Sequence, residues 1–366
     1  VTCVHSGKNP IQNKTIFIDY DLDGLNFITL DLFTYLRNKN VFLRFMFETT
    51  LSFFLSIKII FLFKKMKKIN LIIWYGPSAF LWFPAIVMKL ISGAPIYYIL
   101  RDIFPEWLQS IGLLKNKLLF MVLNFLTYPQ YICPDKIGIE SPENLLLIKK
   151  KIKNQNKIET MYNWPSIYYL KSNKLTHNLK KNIPQFFSNQ NRKKIMSIYT
   201  GSLSFAQDDK NVLRFLDDKN IRNLMEIHFF LPKLSNKFSK NSFYFHDVIP
   251  EYYLPIIFEY SNCGIVALNK SLITNNIPGK FVSYTQFGLP VLCFSNSDSK
   301  IGTLIDQYNC GIVLDYDDDK KNNLKKLKSF CKNIKKPNNI YSQNSKKLFK
   351  ELFDLNKVKI QLGKML

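Results

Sequence analysis

NNIPGKFVSYTQFGLPVLCF, residues 275–294, is the stretch that decides the fold of this chain. It joins a Pro-Gly-Lys turn at 278–280 to a segment with the spacing of a short helix, and Gly288 and Pro290 then lead into an apolar strand. In an α/β protein such a turn puts backbone N–H groups and one ammonium at the mouth of a parallel sheet. Positive groups of this kind suit a diphosphate, so the stretch predicts an anion-binding edge of the sheet.

The same alternation of apolar strands and helices runs through both halves of the chain. LIIWY (71–75) and PIYYIL (95–100) are continuous apolar runs in the first half, and IMSIY (195–199) and MEIHFFL (225–231) are their counterparts in the second. Continuous apolar strands separated by helices are typical of parallel sheets that are covered on both faces. The sequence therefore predicts an α/β protein with two doubly wound, Rossmann-like domains.

The domain boundaries follow from composition. The stretch 171–193 is rich in Lys and Asn and has weak periodicity, which is typical of a linker. We expect an N-terminal domain over 1–170, a C-terminal domain over 194–345, and a C-terminal helix over 346–366 that is free to pack back on the N-terminal domain. The chain begins at Val1 within a strand-like run, so we also expect that the first strand of the N-terminal domain is missing.

Composition narrows the classes of protein. Hydrophobic residues make up 47% of the 366 positions, which is enough for a substantial core. The six cysteines form no C-x-x-C pair and the four histidines show no metal-ligand spacing, so the sequence indicates neither a disulfide framework nor a metal site. The formal net charge of +24 has three explanations: attraction to anionic lipid, binding of nucleic acid, or compositional drift toward Lys. We expect the Lys runs at 64–65, 149–151 and 320–336 at element ends without interleaved aromatics, which favours lipid attraction and drift over nucleic acid.

The segment 41–63 has the length of a membrane span. Arg44, Glu48 and Lys58 interrupt it, and each is costly in the middle of a bilayer. We therefore expect a helix of the protein core, or one that lies against a membrane surface.

The motifs, taken in order along nearly the whole chain, resemble those of glycosyltransferase family 4. Within that family the chain is similar to the branch that builds bacterial surface polysaccharides, close to the N-acetyl-fucosamine transferases. The residues that carry the resemblance are RDIFPE at 101–106, Ser141 after its strand, Asn163 and Trp164 before the linker, YTGSL at 199–203 with Ala206 and Gln207, and IPGK at 277–280 through GLPV at 288–291.

The resemblance implies the GT-B fold, in which two Rossmann-like domains face each other across a cleft. It implies a retaining, metal-independent glycosyltransferase that needs no cofactor. The donor would be a nucleotide sugar, UDP-linked, and the acceptor a lipid-linked saccharide in the synthesis of a cell-surface polysaccharide such as O-antigen. The expected location is cytoplasmic and peripheral, on the inner face of the plasma membrane, with no nucleic acid as partner.

The resemblance also assigns roles to residues. Asp102, Arg101 and Lys280 are the expected catalytic residues, and Arg101, Asp102 and Glu106 are expected to bind the acceptor. The expected donor-binding residues are Gly201, Ser202, Lys233, His246, Val248, Pro278, Gly279, Lys280, Ser283 and Tyr284.

Lys280 has an argument of its own. An ammonium at the start of a helix is unfavourable to that helix unless an anion lies beside it. The alternative is one more solvated lysine among many. Gly201 follows a strand and lets the backbone approach phosphates closely, although an ordinary strand-to-helix turn has the same sequence.

Arg101 and Asp102 end a buried strand of the first domain. Asp102 is placed to orient an acceptor hydroxyl, and Arg101 to hold a phosphate through a bidentate contact. The alternative is a structural ion pair between Arg101 and either Asp102 or Glu106. Glu106 also suits the cap of the local turn, and His246 suits an ordinary loop position whose backbone reads the nucleotide base.

The chain departs from the family in several places. Many members carry two glutamates seven residues apart around the donor loop; the second falls at Ser283 here, and the first is absent. Arg101 stands where many members have His, and Pro232 and Lys233 replace a Gly-rich turn. These departures leave two other hypotheses open: a catalytically inactive GT-B partner or decayed copy, and a basic protein that binds an anionic polymer.

Overall fold

The computed structural model describes residues 2–6, 26–30, 41–63, 68–76, 79–165, 194–203, 205–231, 243–247, 249, 253–336 and 338–366, with side chains from Glu48 onward. The expected linker at 171–193 lies outside these residues. Lys233 and Val248, two of the expected donor-binding residues, lie outside them as well.

The described part of the first half of the chain contains six short strands. They are β1 (Thr2–Ser6), β2 (Asn26–Leu30), β3 (Ile72–Tyr75), β4 (Ile96–Leu100), β5 (Lys136–Ile139) and β6 (Ile158–Thr160). Strands β3 to β6 form a parallel sheet in chain order, and β1 pairs with β2 in a separate parallel pair. The carboxyl ends of β3 to β6 therefore share one edge.

The second half carries a six-stranded parallel sheet. Its strands are β7 (Ile195–Thr200), β8 (Met225–Phe230), β9 (Tyr244–His246), β10 (Cys263–Ala267), β11 (Val291–Phe294) and β12 (Gly311–Leu314). Their order is β12-β11-β10-β7-β8-β9, so the chain builds outward from β7 in one direction and from β10 in the other. This reversal between β7 and β10 is the topological switch point of a doubly wound sheet.

Helices connect the strands. The first half has α1 (Val41–Leu62), α2 (Trp82–Ser92), α3 (Glu106–Ser110), α4 (Lys117–Thr127), α5 (Pro129–Ile132) and α6 (Leu145–Ile148), with a 3-10 turn at Ala79–Leu81. The second half has α7 (Asp209–Leu216), α8 (Lys219–Leu224), α9 (Leu254–Tyr260), α10 (Gly279–Gln286), α11 (Lys300–Tyr308), α12 (Lys320–Ile334), α13 (Ile340–Leu348), a π-helical turn at Phe349–Phe353, and α14 (Leu355–Gly363).

Alternate residues of the second sheet pack into two different cores, one on each face. Met196 and Ile198 of β7 belong to the core that contains α10, whereas Ile195 and Tyr199 belong to the core on the opposite face. A strand that is buried on both sides needs apolar residues at every position, which explains the continuous apolar runs. The predicted α/β class with parallel sheets is confirmed.

The prediction that the Lys run 320–336 lies at an element end is wrong. Residues 320–334 form α12, which Asp319 caps by accepting the N–H of Asn322 at 2.8 Å. Leu327, Phe330 and Ile334 are buried along one side, and the lysines face outward. Sparse apolar residues at helical spacing were the available signal, and the many lysines between them obscured it.

Two further segments differ in extent from what the sequence indicates. The segment 41–63 is a single helix, α1, and within the residues described no helix is long and apolar enough to cross a membrane. The tail forms α13, the π-helical turn and α14. Val358 of α14 packs against Tyr97 and Ile99 of β4, and the Gln361 amide donates to the Thr160 carbonyl at 2.7 Å.

Candidate active site

The turn after β7 lies at the switch point of the second sheet. Gly201 has φ of +91°, and the position of a Cβ there has no neighbour within 4 Å. Gly201 and Ser202 are exposed. In open α/β sheets, ligands bind in the crevice outside the carboxyl ends of the strands at this point. The turn therefore presents bare backbone to an open space.

The Lys280 side chain reaches this turn from the start of α10. Its ammonium lies 3.4 Å from the centre of the Tyr199 ring, and the Tyr199 hydroxyl donates to the Ser202 carbonyl at 2.7 Å. Burial lowers the pKa of Lys280 to about 7. Among the residues that the structure describes, no carboxylate or hydrogen-bond acceptor pairs with this ammonium. The structure thus brings the Lys280 ammonium to the turn of Gly201 and Ser202, where the described residues supply no anion.

Tyr284 fixes the distance between α10 and the end of β7. Its side chain is fully buried, and its hydroxyl accepts the Thr200 N–H at 3.1 Å and lies 3.2 Å from the Thr200 hydroxyl. Gly264 of β10 makes room for the ring, because a Cβ there would lie 2.2 Å from it. Tyr284 therefore acts on the site by positioning its backbone, and it is too deeply buried here to touch a donor.

The start of α10 presents two N–H groups. The Pro278 carbonyl accepts the Phe281 N–H at 2.9 Å, whereas the N–H groups of Gly279 and Lys280 have no acceptor within the described part of the chain. The Ser283 hydroxyl donates to the Gly279 carbonyl at 3.1 Å, within its own helix. Free N–H groups at a helix start favour the binding of an anion. The turn formed by Pro278, Gly279 and Lys280 is therefore suited to bind one.

Arg101 lies across from this turn, after β4 of the first sheet. Its buried guanidinium is 4.7 Å from the Trp164 ring and 5.5 Å from the Tyr75 ring, and 3.7 Å separates it from the Glu140 carboxylate. In the residues described, none of its three nitrogens has a hydrogen-bond partner. The alternative of an ion pair between Arg101 and Asp102 or Glu106 is not what the described residues show. Two aromatic rings and Glu140 contact the Arg101 guanidinium instead.

Glu140 is a residue that the sequence analysis missed. Its side chain is 4% exposed, and burial raises its pKa to about 8, although Arg101 opposes that rise. The half-buried Asp102 adds to the rise by charge repulsion. The only signal in the sequence was its place directly after a buried strand, at the edge that also carries Arg101.

Residues 275–277, just before the Pro-Gly-Lys turn, bind the first half of the chain. The Asn276 side chain donates to the Arg101 carbonyl at 3.0 Å and accepts from the Asn144 amide at 3.2 Å. The Asn275 N–H donates to Asn144 Oδ1 at 2.8 Å. We call Asn144, Asn275 and Asn276 the asparagine clasp. It ties the loop that carries Lys280 to the strand ends of the first sheet.

Two other expected site residues are engaged elsewhere. Glu106 forms a salt bridge with Lys151, whose ammonium also donates to the Asn124 side chain at 2.6 Å. His246 lies at the end of β9, with its Nε2 2.9 Å from Nδ1 of the buried His228, and burial lowers its pKa. Both side chains are thus held by neighbouring residues, and the expected roles of Glu106 at the acceptor and of His246 at the donor stay predictions.

The titratable side chains offer no evident metal site. In the described ranges, no group of three or more His, Cys, Asp or Glu side chains is arranged to hold a metal ion. Lys280 and Arg101 bring cations, and Asp102 and Glu140 bring carboxylates, to the region around the Gly201 turn and the end of β4. The two cations suit the binding of an anionic group.

No protein-family model matches the chain, and no curated protein matches it in sequence. Solved structures do match it. The complex of Anabaena HepE with UDP has a TM-score of 0.59 at 10% identity, over 99% of this chain and 98% of that chain. The N-terminal domain of Candida albicans trehalose-6-phosphate phosphatase has a TM-score of 0.63 at 9% identity, over 93% and 84% of the two chains. A glycosyltransferase from Rickettsia africae has a TM-score of 0.57 at 10% identity, over 93% and 85%.

At these identities the likeness establishes the fold. The chain has an α/β architecture with two parallel sheets, and the GT-B fold expected from the sequence is confirmed. Membership of family 4 and of the N-acetyl-fucosamine branch stays a prediction.

Proposed function

We propose that this chain is a glycosyltransferase that takes a sugar from a nucleotide sugar, UDP-linked. One observation carries the proposal: the Lys280 ammonium lies beside the open Gly201 turn, and no carboxylate of the described residues pairs with it. A partly buried cation without a partner is costly. A donor diphosphate supplies the missing charge, and the N–H groups of Gly279 and Lys280 supply donors to its oxygens.

The structural neighbours favour UDP over other nucleotides. HepE was solved with UDP, with UDP-glucose, and with UDP and glucose. In this chain, UDP would bind at the corresponding edge of the second sheet, at its topological switch point.

In the proposed reaction, an acceptor hydroxyl oxygen forms a bond to the anomeric carbon as the bond from that carbon to the diphosphate oxygen breaks. Following the resemblance, configuration is retained and the departing phosphate takes the hydroxyl proton, so that UDP and the glycosylated acceptor are the products. Lys280 and the Gly201 turn stabilise the negative charge that develops on the leaving group. No step of this scheme uses a metal.

The acceptor belongs to the edge of the first sheet. We propose that Asp102 orients the acceptor hydroxyl and that Arg101 holds an acceptor phosphate, as in a lipid-linked saccharide for cell-surface polysaccharide such as O-antigen. The guanidinium nitrogens are sealed from solvent in this arrangement, so the phosphate reaches them only after the surrounding rings or the asparagine clasp move. Such an acceptor places the enzyme peripherally on the inner face of the plasma membrane.

The first test is calorimetric titration of UDP into the wild type and Lys280→Ala, with GDP and ADP for comparison. Loss of a charge-assisted contact predicts about tenfold or more weaker UDP binding. Lys328→Ala is the matched control, because Lys328 is an exposed lysine on α12, and it should bind UDP as the wild type does. Equal UDP affinity in Lys280→Ala and the wild type would contradict the role of Lys280.

The pH dependence gives a second readout of the same residue. The pKa of Lys280 is lowered to about 7 without a ligand, and a bound diphosphate raises it, so binding takes up a proton above pH 7. UDP affinity should therefore fall as pH rises from about 7 to 9 in the wild type and be flat in Lys280→Ala. A folded wild type that binds no nucleotide would instead favour the inactive GT-B hypothesis. Steeply salt-dependent DNA binding with indifference to UDP would favour the anionic-polymer hypothesis.

A further inference from the structure

Helix α4 turns an apolar side outward. Five of its large apolar residues are exposed, and Phe125 keeps 78% of its surface. These residues are Leu118, Leu119, Met121, Val122 and Phe125, which helical spacing puts along one side. The opposite side of α4 faces the core, where Leu123 packs with Phe80. Helix α4 therefore has two apolar sides. One packs in the core, and the other is not covered by the residues that the structure describes.

Helix α1 also has a buried apolar inner side and an exposed apolar outer side. Leu51, Leu55 and Ile59 are buried on its inner side. Its outer side exposes Phe53, Phe54, Ile60 and Phe61, the last of which keeps 75% of its surface. Large exposed apolar patches on a folded protein mark surfaces that bind a partner or a membrane.

The two helices flank one turn of the first half of the chain. The Ser52 hydroxyl of α1 donates to the Phe80 carbonyl at 2.8 Å, and the Phe80 side chain packs with Leu123 of α4. The inner sides of α1 and α4 thus pack on the same 3-10 turn, through the buried Ser52 and Leu123, and their outer sides carry the exposed apolar residues. We call the nine exposed residues given above the apolar face.

The charges on and beside the two helices are mostly positive. Lys115 and Lys117 are exposed at the start of α4. The sequence KKMKK at 64–68 follows α1, and Lys68 is exposed. Within 48–63 and 113–127 the only acidic residue is Glu48. Basic residues bordering exposed apolar side chains complement anionic lipid headgroups over acyl chains.

We infer that the apolar face docks on the surface of an anionic lipid bilayer, with its side chains in the interfacial region and the flanking lysines on the headgroups. This names the surface for the membrane attachment in the proposed function. It rests on the exposures and charges of α1 and α4 and does not depend on sugar transfer. No part of it needs a helix to cross the bilayer.

The test is co-sedimentation of the full chain with vesicles of phosphatidylcholine and phosphatidylglycerol in equal parts, against vesicles of phosphatidylcholine alone. The wild type should bind the anionic vesicles, and added salt should weaken binding. The triple variant Leu118→Gln, Met121→Gln, Phe125→Gln should bind at least about a hundredfold more weakly, since each side chain leaves the interface. The double variant Lys115→Gln, Lys117→Gln should bind on the order of tenfold more weakly.

Matched controls separate the surface from general effects of the substitutions. Ile340→Gln with Ile360→Gln removes exposed apolar residues of α13 and α14, and Lys325→Gln with Lys328→Gln removes exposed lysines of α12. Both controls should bind vesicles as the wild type does. All replaced residues are exposed, so thermal unfolding should change little.

Three results would overturn the inference: a folded wild type that ignores anionic vesicles, a triple variant that binds them as the wild type does, or a wild-type dimer that the triple variant converts to a monomer. The last would make the apolar face an interface between copies. UDP titration of the same variants keeps the two proposals distinct. Vesicle binding without UDP binding would remove the proposed function and leave the docking surface standing.

Discussion

Gly201 has the backbone conformation that matters most at the scale of single residues. Its φ of +91° lies in the region that costs an L-residue about 1–2 kcal/mol, and it lies beside the Lys280 ammonium. Gly93 has a comparable φ of +73° at the end of α2, also with nothing within 4 Å of a Cβ. At both positions a residue with a Cβ would have an unfavourable positive φ. The two glycines differ in location, because only Gly201 lies at the candidate site.

Gly201→Ala and Gly93→Ala should each lower the free energy of unfolding by about 1–2 kcal/mol, because the strain is the same and there is room for the methyl group. Only Gly201→Ala should also weaken UDP binding, since it shifts the backbone that faces the diphosphate. Urea unfolding and UDP titration of both variants measure the two effects. An equal loss of UDP affinity in Gly93→Ala would show that the effect is not local.

Helix α10 is the element that presents the cation. Phe281 and Val282 anchor it in the core, and the Tyr284 hydroxyl joins it to the end of β7. Gly264 lets the Tyr284 ring approach the sheet. The position of Lys280 is therefore set by the buried residues that follow it in the same helix.

Tyr284→Phe tests this arrangement. Removing the hydroxyl leaves the half-buried Thr200 N–H without its acceptor, which should cost about 1–2 kcal/mol of stability and weaken UDP binding several-fold. Tyr308→Phe is the control, because it removes an exposed hydroxyl that donates to Glu351 at 2.7 Å. That variant should stay within about 1 kcal/mol of the wild type. Unchanged UDP affinity in Tyr284→Phe would mean that the turn holds its shape without the bond.

At the scale of the whole molecule, the asparagine clasp joins the two halves of the chain. It is supplemented by the Lys300–Glu143 ion pair at 2.8 Å. The Asn276 side chain lies between the Arg101 carbonyl and the Asn144 amide, and Asn276 is followed two residues later by Pro278. The donor loop and the acceptor edge are therefore mechanically linked.

Asn276→Ala and Asn144→Ala should each lower the free energy of unfolding by about 1 kcal/mol, and the double variant should lose less than the sum. The shared bond predicts a coupling of at least about 0.5 kcal/mol in urea unfolding. Asn344→Ala is the control, since it removes a side-chain bond to the Asn309 carbonyl at 3.0 Å within the second half. Additive losses at Asn276 and Asn144 would mean that the clasp does not act as a unit.

The sequence by itself determined the fold class and pointed to Lys280 as a candidate site residue. Continuous apolar runs such as 95–100 favour a strand buried on both faces, and the Pro-Gly-Lys turn favours a helix start with a lysine on it. Both are local patterns, which a chain carries whatever its tertiary contacts. The helix α12 was missed because its few apolar positions are spread among lysines.

Only the tertiary structure decided what those residues meet. Tyr284 and Thr200 are 84 positions apart, and Asn276 and Arg101 are 175 apart, so no local pattern announces their bonds. The same is true of Glu140, whose high pKa comes from burial opposed by Arg101, and of the rings around Arg101. Periodicity follows from the geometry of a single element, whereas a site follows from which elements the packing brings together.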